Sequence, residues 1–210
     1  MKKYIKYIVY FIGLFLVALG ASLSIKANLG TTPLVCIPYV ADLITNLSVG
    51  TTTFIFNIIL IAIQVIILRK GFEKRQLLQI VVGTIFAECI DDTLILVNFL
   101  DPVNYASQFI LLLISCVVMA MGVLLETKAN VVYLPGDGLI VALSKVFNKE
   151  FGEMKPYCDV PMVIIAAIAS FIFLGHLGGV REGTVVSAII IGPIVAVLNK
   201  YLGSYIDRIV

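Results

Sequence analysis

The sequence holds one histidine, and its four cysteines include no Cys-x-x-Cys pair, so no metal-spaced set of ligands is spelled out. It has no Walker loop and no glycine-rich dinucleotide turn, which removes the usual signs of nucleotide chemistry. Charge is scarce too. Asp, Glu, Lys and Arg make up 13% of the 210 residues against 60% hydrophobic residues, and mean hydropathy is +1.08. One soluble core cannot absorb that much apolar surface, so the chain reads as an all-α integral membrane protein whose first partner is the lipid bilayer. Cys36, Cys89, Cys116 and Cys158 lie in or beside apolar stretches and read as small buried hydrophobes. No enzyme activity, cofactor, bound metal or nucleic-acid partner is expected.

Six runs approach the ~20 residues that cross a ~30 Å hydrocarbon layer. They lie near Tyr7 to Ser24, Thr51 to Leu68, Leu77 to Leu100, Ala106 to Leu125, Val160 to Leu174 and Thr184 to Leu202. With six crossings, 13 of the 15 Lys and Arg fall on one side, leaving Lys26 and Arg181 on the other. The positive-inside rule then puts both termini in the cytoplasm, in a bacterial inner membrane. The net charge of +2 is a topology signal.

A repeat organises the chain. "GASLSIKANLGTTP" from Gly20 aligns without gaps on "GVLLETKANVVYLP" from Gly122, a shift of 102 residues that also lays Gly50 on Gly152 and Asn57 on Asp159. Repeat 1 covers about residues 4–100 and repeat 2 about 106–202 of one membrane domain. Three crossings per half is an odd number, so the halves should be inverted relative to each other, an architecture of secondary transporters. The basic, apolar start of the chain resembles a secretory signal, but its end belongs to the repeat, and cleavage would destroy the first half.

Between spans 1 and 2 the punctuation Gly-Thr-Thr-Pro predicts a helix capped by Thr31 or Thr32, starting at Pro33 and reaching about Leu47. Its twin is "GDGLIVALSKVF", with Asp137 as the expected cap. Each apolar part is ~15–18 Å long, half a bilayer. These half-helices either re-enter the membrane or lie at the interface. Lys26 and Lys128, with Asn28 and Asn130, would cap or snorkel at their mouths, with a direct substrate role as the alternative.

Span 3 carries Glu88, Asp91 and Asp92, which project toward one helix face. Intramembrane carboxylates mark ion or substrate paths, and Glu88, placed nearest the bilayer centre, is the expected coupling residue. The alternative is that they bond neighbouring helices. Asn57 and Asp159 would turn toward a common central site or form interhelical hydrogen bonds. "LPGDGL" is similar to the Gly-x-Gly-Asp motif of intramembrane aspartyl proteases, but Leu134 stands where the first glycine is required.

On "GASLSIKANLGTTP" and "AECIDD" the chain resembles the YczE/YitT group of bacterial integral membrane proteins. The chain ends just past span 6, without the C-terminal soluble domain of the YitT branch, so the resemblance favours the YczE-like branch. It implies no activity. The residues themselves lead to a small secondary transporter, proton- or sodium-coupled, for a zwitterionic, anionic or cationic solute. The alternatives are a substrate-binding subunit of an ATP-driven importer, a channel, or an accessory subunit. A homodimer is possible.

Overall fold

The computed structural model describes residues 2–210, with the side chains of Lys2, Lys3, Lys70 and Ile209 outside that description. Among the described residues there are eight α-helices: α1 (Lys2–Ala27), α2 (Pro33–Thr45), α3 (Val49–Leu68), α4 (Leu78–Leu96), α5 (Tyr105–Ala129), α6 (Pro135–Phe147), α7 (Phe151–Leu174) and α8 (Glu182–Ile209). Five, α1, α3, α5, α7 and α8, contain stretches long and apolar enough to cross a membrane. Helix α4 has 19 residues and carries the three carboxylates.

Helix bounds recur at the shift of 102. Ala27 and Ala129 end α1 and α5, the short helices run Pro33–Thr45 and Pro135–Phe147, and α3 and α7 begin at Val49 and Phe151. The paired asparagines explain part of this. Asn28 and Asn130 have φ 55° and 44°, and Asn46 and Asn148 have φ 56° and 50°. Each stops a helix in the left-handed conformation that Asn tolerates, so these four act first as C-terminal caps.

Helix α1 lies along α5, and small residues permit the close crossing. A Cβ on Gly20 would come within 2.7 Å of Met119, and one on Gly122 within 2.7 Å of Gly13 O and the Val17 nitrogen. Gly20 and Met119 map by the shift of 102 onto Gly122 and Val17, so the two contacts are reciprocal. Helix α4 adds to α1 and α3, while α8 adds to α5. The apolar stretch of α8 is 6% buried against 56% for α1, which makes α1 central and α8 peripheral.

The short helices differ from expectation in detail. Thr32 is the N-cap of α2 and Pro33 its first residue, but the helix ends at Thr45, where Asn46 turns the chain. In α6 the cap is Leu134, and Asp137 sits in the first turn, because Pro135 already fixes the first helical position. Helix α7 starts at Phe151 and runs through Pro156 and Pro161, well before the expected Val160.

Candidate functional site

The short helices trade places. Helix α2 packs on α7 and α6 packs on α3, while each also touches the long helix that follows it in its own half. Their buried ends are the N-termini: Pro33, Val35 and Cys36 in α2, and Pro135, Gly136 and Gly138 in α6. Leu34 lies where a Gly136 side chain would be. These two residues are 102 apart, so repeat-mates touch each other at the seam between the halves.

Polar groups gather around this seam. Asn57 is the ninth residue of α3 and Asp159 the ninth of α7, ~12 Å into each helix. Both therefore sit deeper than the span starts expected from the sequence. Pro135 and the Asn57 amide both converge on the space opened by Gly83, at 3.4 and 3.3 Å from where its Cβ would stand. Thr52 Oγ1 donates to Pro38 O at 2.8 Å, a register that brings the first turn of antiparallel α2 level with Asn57.

Three side chains here lack protein partners. Thr32 is 3% exposed, Thr53 3% and Asn57 4%, yet neither threonine hydroxyl nor the Asn57 amide nitrogen makes a hydrogen bond. Each unmet buried group costs about 1–3 kcal/mol, more than packing alone would retain. On the α7 side the same repeat positions are charged: Lys155 stands 102 residues after Thr53 and pairs with Asp159 at 3.0 Å. Asp137 lies close enough for the charges of Lys155 and Asp159 to act on it.

Gln64 and Gln79 clamp the start of α6. Both are buried, they exchange hydrogen bonds of 3.1 and 3.2 Å, and Gln64 Nε2 donates to Pro135 O at 2.9 Å. The approach to α2 is held by backbone instead. Thr31 N and Oγ1 both donate to Gly179 O, Gly183 N donates to Leu29 O at 2.7 Å, and Arg181 Nη1 donates to Asn28 O at 2.9 Å. Thr31 and Asn28 are thus structural anchors, while the exposed Asn130 closes α5.

The acids of α4 divide. Asp91 Oδ1 accepts from Gly50 N at 2.7 Å, level with the first turn of α3, whereas Glu88 and Asp92, which flank it on the same broad face, are exposed. Glu88, the eleventh of the 19 residues of α4, sits beside the middle of the helix, one turn from Asp91. Asp91 instead lines a cavity of about 890 Å³ with Lys26, Tyr39, Asp42 and Asp101. Burial first, and Asp91 second, pushes the Asp42 carboxyl above its ordinary value. Lys26 reaches across the mouth to Asn98 Oδ1 at 2.7 Å.

Sequence reasoning missed Gln64, Gln79, Thr53, Lys155, Arg181 and Glu126, whose Oε1 is also buried without a partner. Thr53 and Lys155 were available from the shift of 102, and Gln64 as the lone polar residue in "IAIQVIIL".

Fold and site define an all-helical protein suited to several membrane crossings, with a polar seam where two short helices meet. The chain belongs to a protein family of unknown function, DUF6198, which it matches over residues 4–200. That match carries no link to the YczE/YitT group. No curated protein and no solved structure matches the chain.

Proposed function

We propose that the protein is a small secondary transporter that moves a small polar solute with help from a proton or sodium gradient. In this reading α1, α3 and α4 form one half, α5, α7 and α8 the other, and the odd number of crossings inverts the second half. Helices α2 and α6 re-enter from opposite faces. The charge asymmetry supports cytoplasmic termini, with the membrane taken as a bacterial inner membrane and the Asp42–Asp91 vestibule outside.

The observation that carries the proposal is the exchange of short helices, α2 onto α7 and α6 onto α3, with their first turns in contact at Leu34 and Gly136. Rocking one half against the other would work at this seam, where Asn57 and Asp159 face the two short helices, and would open it to each side in turn. Broken helices whose N-termini meet at the membrane centre are a recurring way to build such a site.

Purified protein in liposomes tests it, using a metabolite panel and an imposed proton or sodium gradient. Gradient-driven accumulation by the protein alone is expected, lost in Asn57→Leu and Asp159→Asn. Uptake that needs an added ATPase would overturn the reading in favour of an importer subunit.

A further inference from the structure

The vestibule beside Asp42 and Asp91 continues past Tyr39 into a second, smaller cavity. The larger part holds about 890 Å³ and carries Asp42, Asp91 and Asp101, while the smaller holds about 190 Å³ and carries His176 and Arg181. Ile25, Asn28 and Tyr39 line both, so the two parts form one depression with Tyr39 at its waist. A Cβ on Gly179, where φ is 76°, would stand 2.8 Å from Cδ1 of Tyr39, so the loop before α8 closes directly on the ring.

The two ends carry opposite charge, and neither is neutralised from within. Among the described residues no Lys, Arg or His pairs with Asp42, Asp91 or Asp101. Lys26, the one lysine at that end, is held by Asn98 through Oδ1 at 2.7 Å and the backbone carbonyl at 3.3 Å. At the other end Arg181 donates through Nη1 to Asn28 O and through Nη2 to Glu182, which does not line the cavity. Its remaining N–H donors are left for a ligand. Shared packing of the halves does not demand this pattern, since the repeat-mates of Tyr39 and Asp42 are Val141 and Ser144.

We propose that the vestibule binds a small zwitterion, its ammonium group between Asp42 and Asp91, its carboxylate at Arg181 and its carbon chain along Tyr39. A simple cation would leave the guanidinium unopposed, and a simple anion would meet the uncompensated carboxylates; a solute with both charges complements each end. The inference rests on the transporter reading for the solute's onward passage, but the binding itself stands apart from transport.

Glycine, γ-aminobutyrate and ε-aminohexanoate are the probes, spanning a range of charge separations, and melting of the purified full chain in detergent is the readout. At least one should raise the melting temperature saturably, beyond an equimolar mixture of butylammonium and butyrate at equal ionic strength. Asp42→Asn and Arg181→Gln should each weaken the apparent affinity by about tenfold or more, since each removes a charged partner. The Asp42 carboxylate has no ion-pair partner to lose, so Asp42→Asn should fold like the parent. Arg181→Gln also loses the bond to Asn28 O, so Arg181→Lys is the second variant there: it keeps the charge and should retain part of the affinity. Ser144→Ala, at the repeat-mate of Asp42, should leave the response unchanged. No zwitterion effect beyond the mixture, a butylammonium effect equal to it, or a response that survives Asp42→Asn or Arg181→Gln overturns the assignment. Because no transport is measured, a failed uptake assay leaves this result standing, and a failed binding assay leaves the transporter reading standing.

Discussion

Leu34 and Gly136, each the second residue of its short helix, touch across the seam between the halves, and Gly136 leaves the space that Leu34 fills. Any side chain at 136 must displace it. Gly136→Val should therefore lower stability by about 1–3 kcal/mol, the usual cost of overpacking. Adding Leu34→Ala should restore most of it, whereas two independent sites would add their losses. Thermal melts of the two single variants and the double variant measure the coupling.

The glutamine clamp makes a different signature. Gln79→Leu strands the carbonyl oxygen of Gln64 in a buried site and should cost about 1–3 kcal/mol. The double variant Gln64→Leu with Gln79→Leu should be more stable than Gln79→Leu alone, because no unmet carbonyl oxygen remains. Denaturation in detergent compares the three proteins.

Close approach of α1 and α5 depends on the repeat glycines. Gly20→Leu and Gly122→Leu should each destabilise by about 1–3 kcal/mol or prevent folding, since the neighbouring atoms include backbone. Gly192→Ala, which meets nothing within 4 Å, should be silent or slightly stabilising within α8. Size-exclusion profiles and melts of the three variants decide this.

Among the acids of α4 the structure redirects attention from Glu88 to Asp91. Glu88→Gln should keep folding and any transport near the parent's level, as the group is exposed and outside the vestibule. Asp91→Asn should lose the charged acceptor for Gly50 N at the start of α3, about 0.3–1 kcal/mol, and slow uptake. Parallel melts and initial uptake rates separate the two positions, and equal effects would contradict the division.

Much of the fold was legible because its signals are local. The Thr-Pro boundary of α2 follows from fixed φ and a missing N–H, and the repeat exposed the second short helix without any packing information. Asp137 was misplaced as a cap because the equally local Pro135 outranks it. The start of α7 was hidden by Pro156 and Pro161, which argue against helix in water but are tolerated where neighbours satisfy the freed carbonyls. Spacing told which faces Glu88, Asp91 and Asp92 share, but which face turns inward is set by the packing of α4 on α3 and α1. Gln64 and Gln79 became a clamp only through a contact between separate helices, which no single segment encodes.

Inversion of the two halves is the claim on which the rest stands, and Asn46 with Asn148 reports on it directly. They are repeat-mates closing α2 and α6, and they lie 102 residues apart. With Cys36, Cys89, Cys116 and Cys158 replaced, single Asn46→Cys and Asn148→Cys variants in intact cells can be treated with a membrane-impermeant thiol reagent. Asn46→Cys should react from outside, and Asn148→Cys only after the membrane is opened. Reaction of both from the same side would contradict the account.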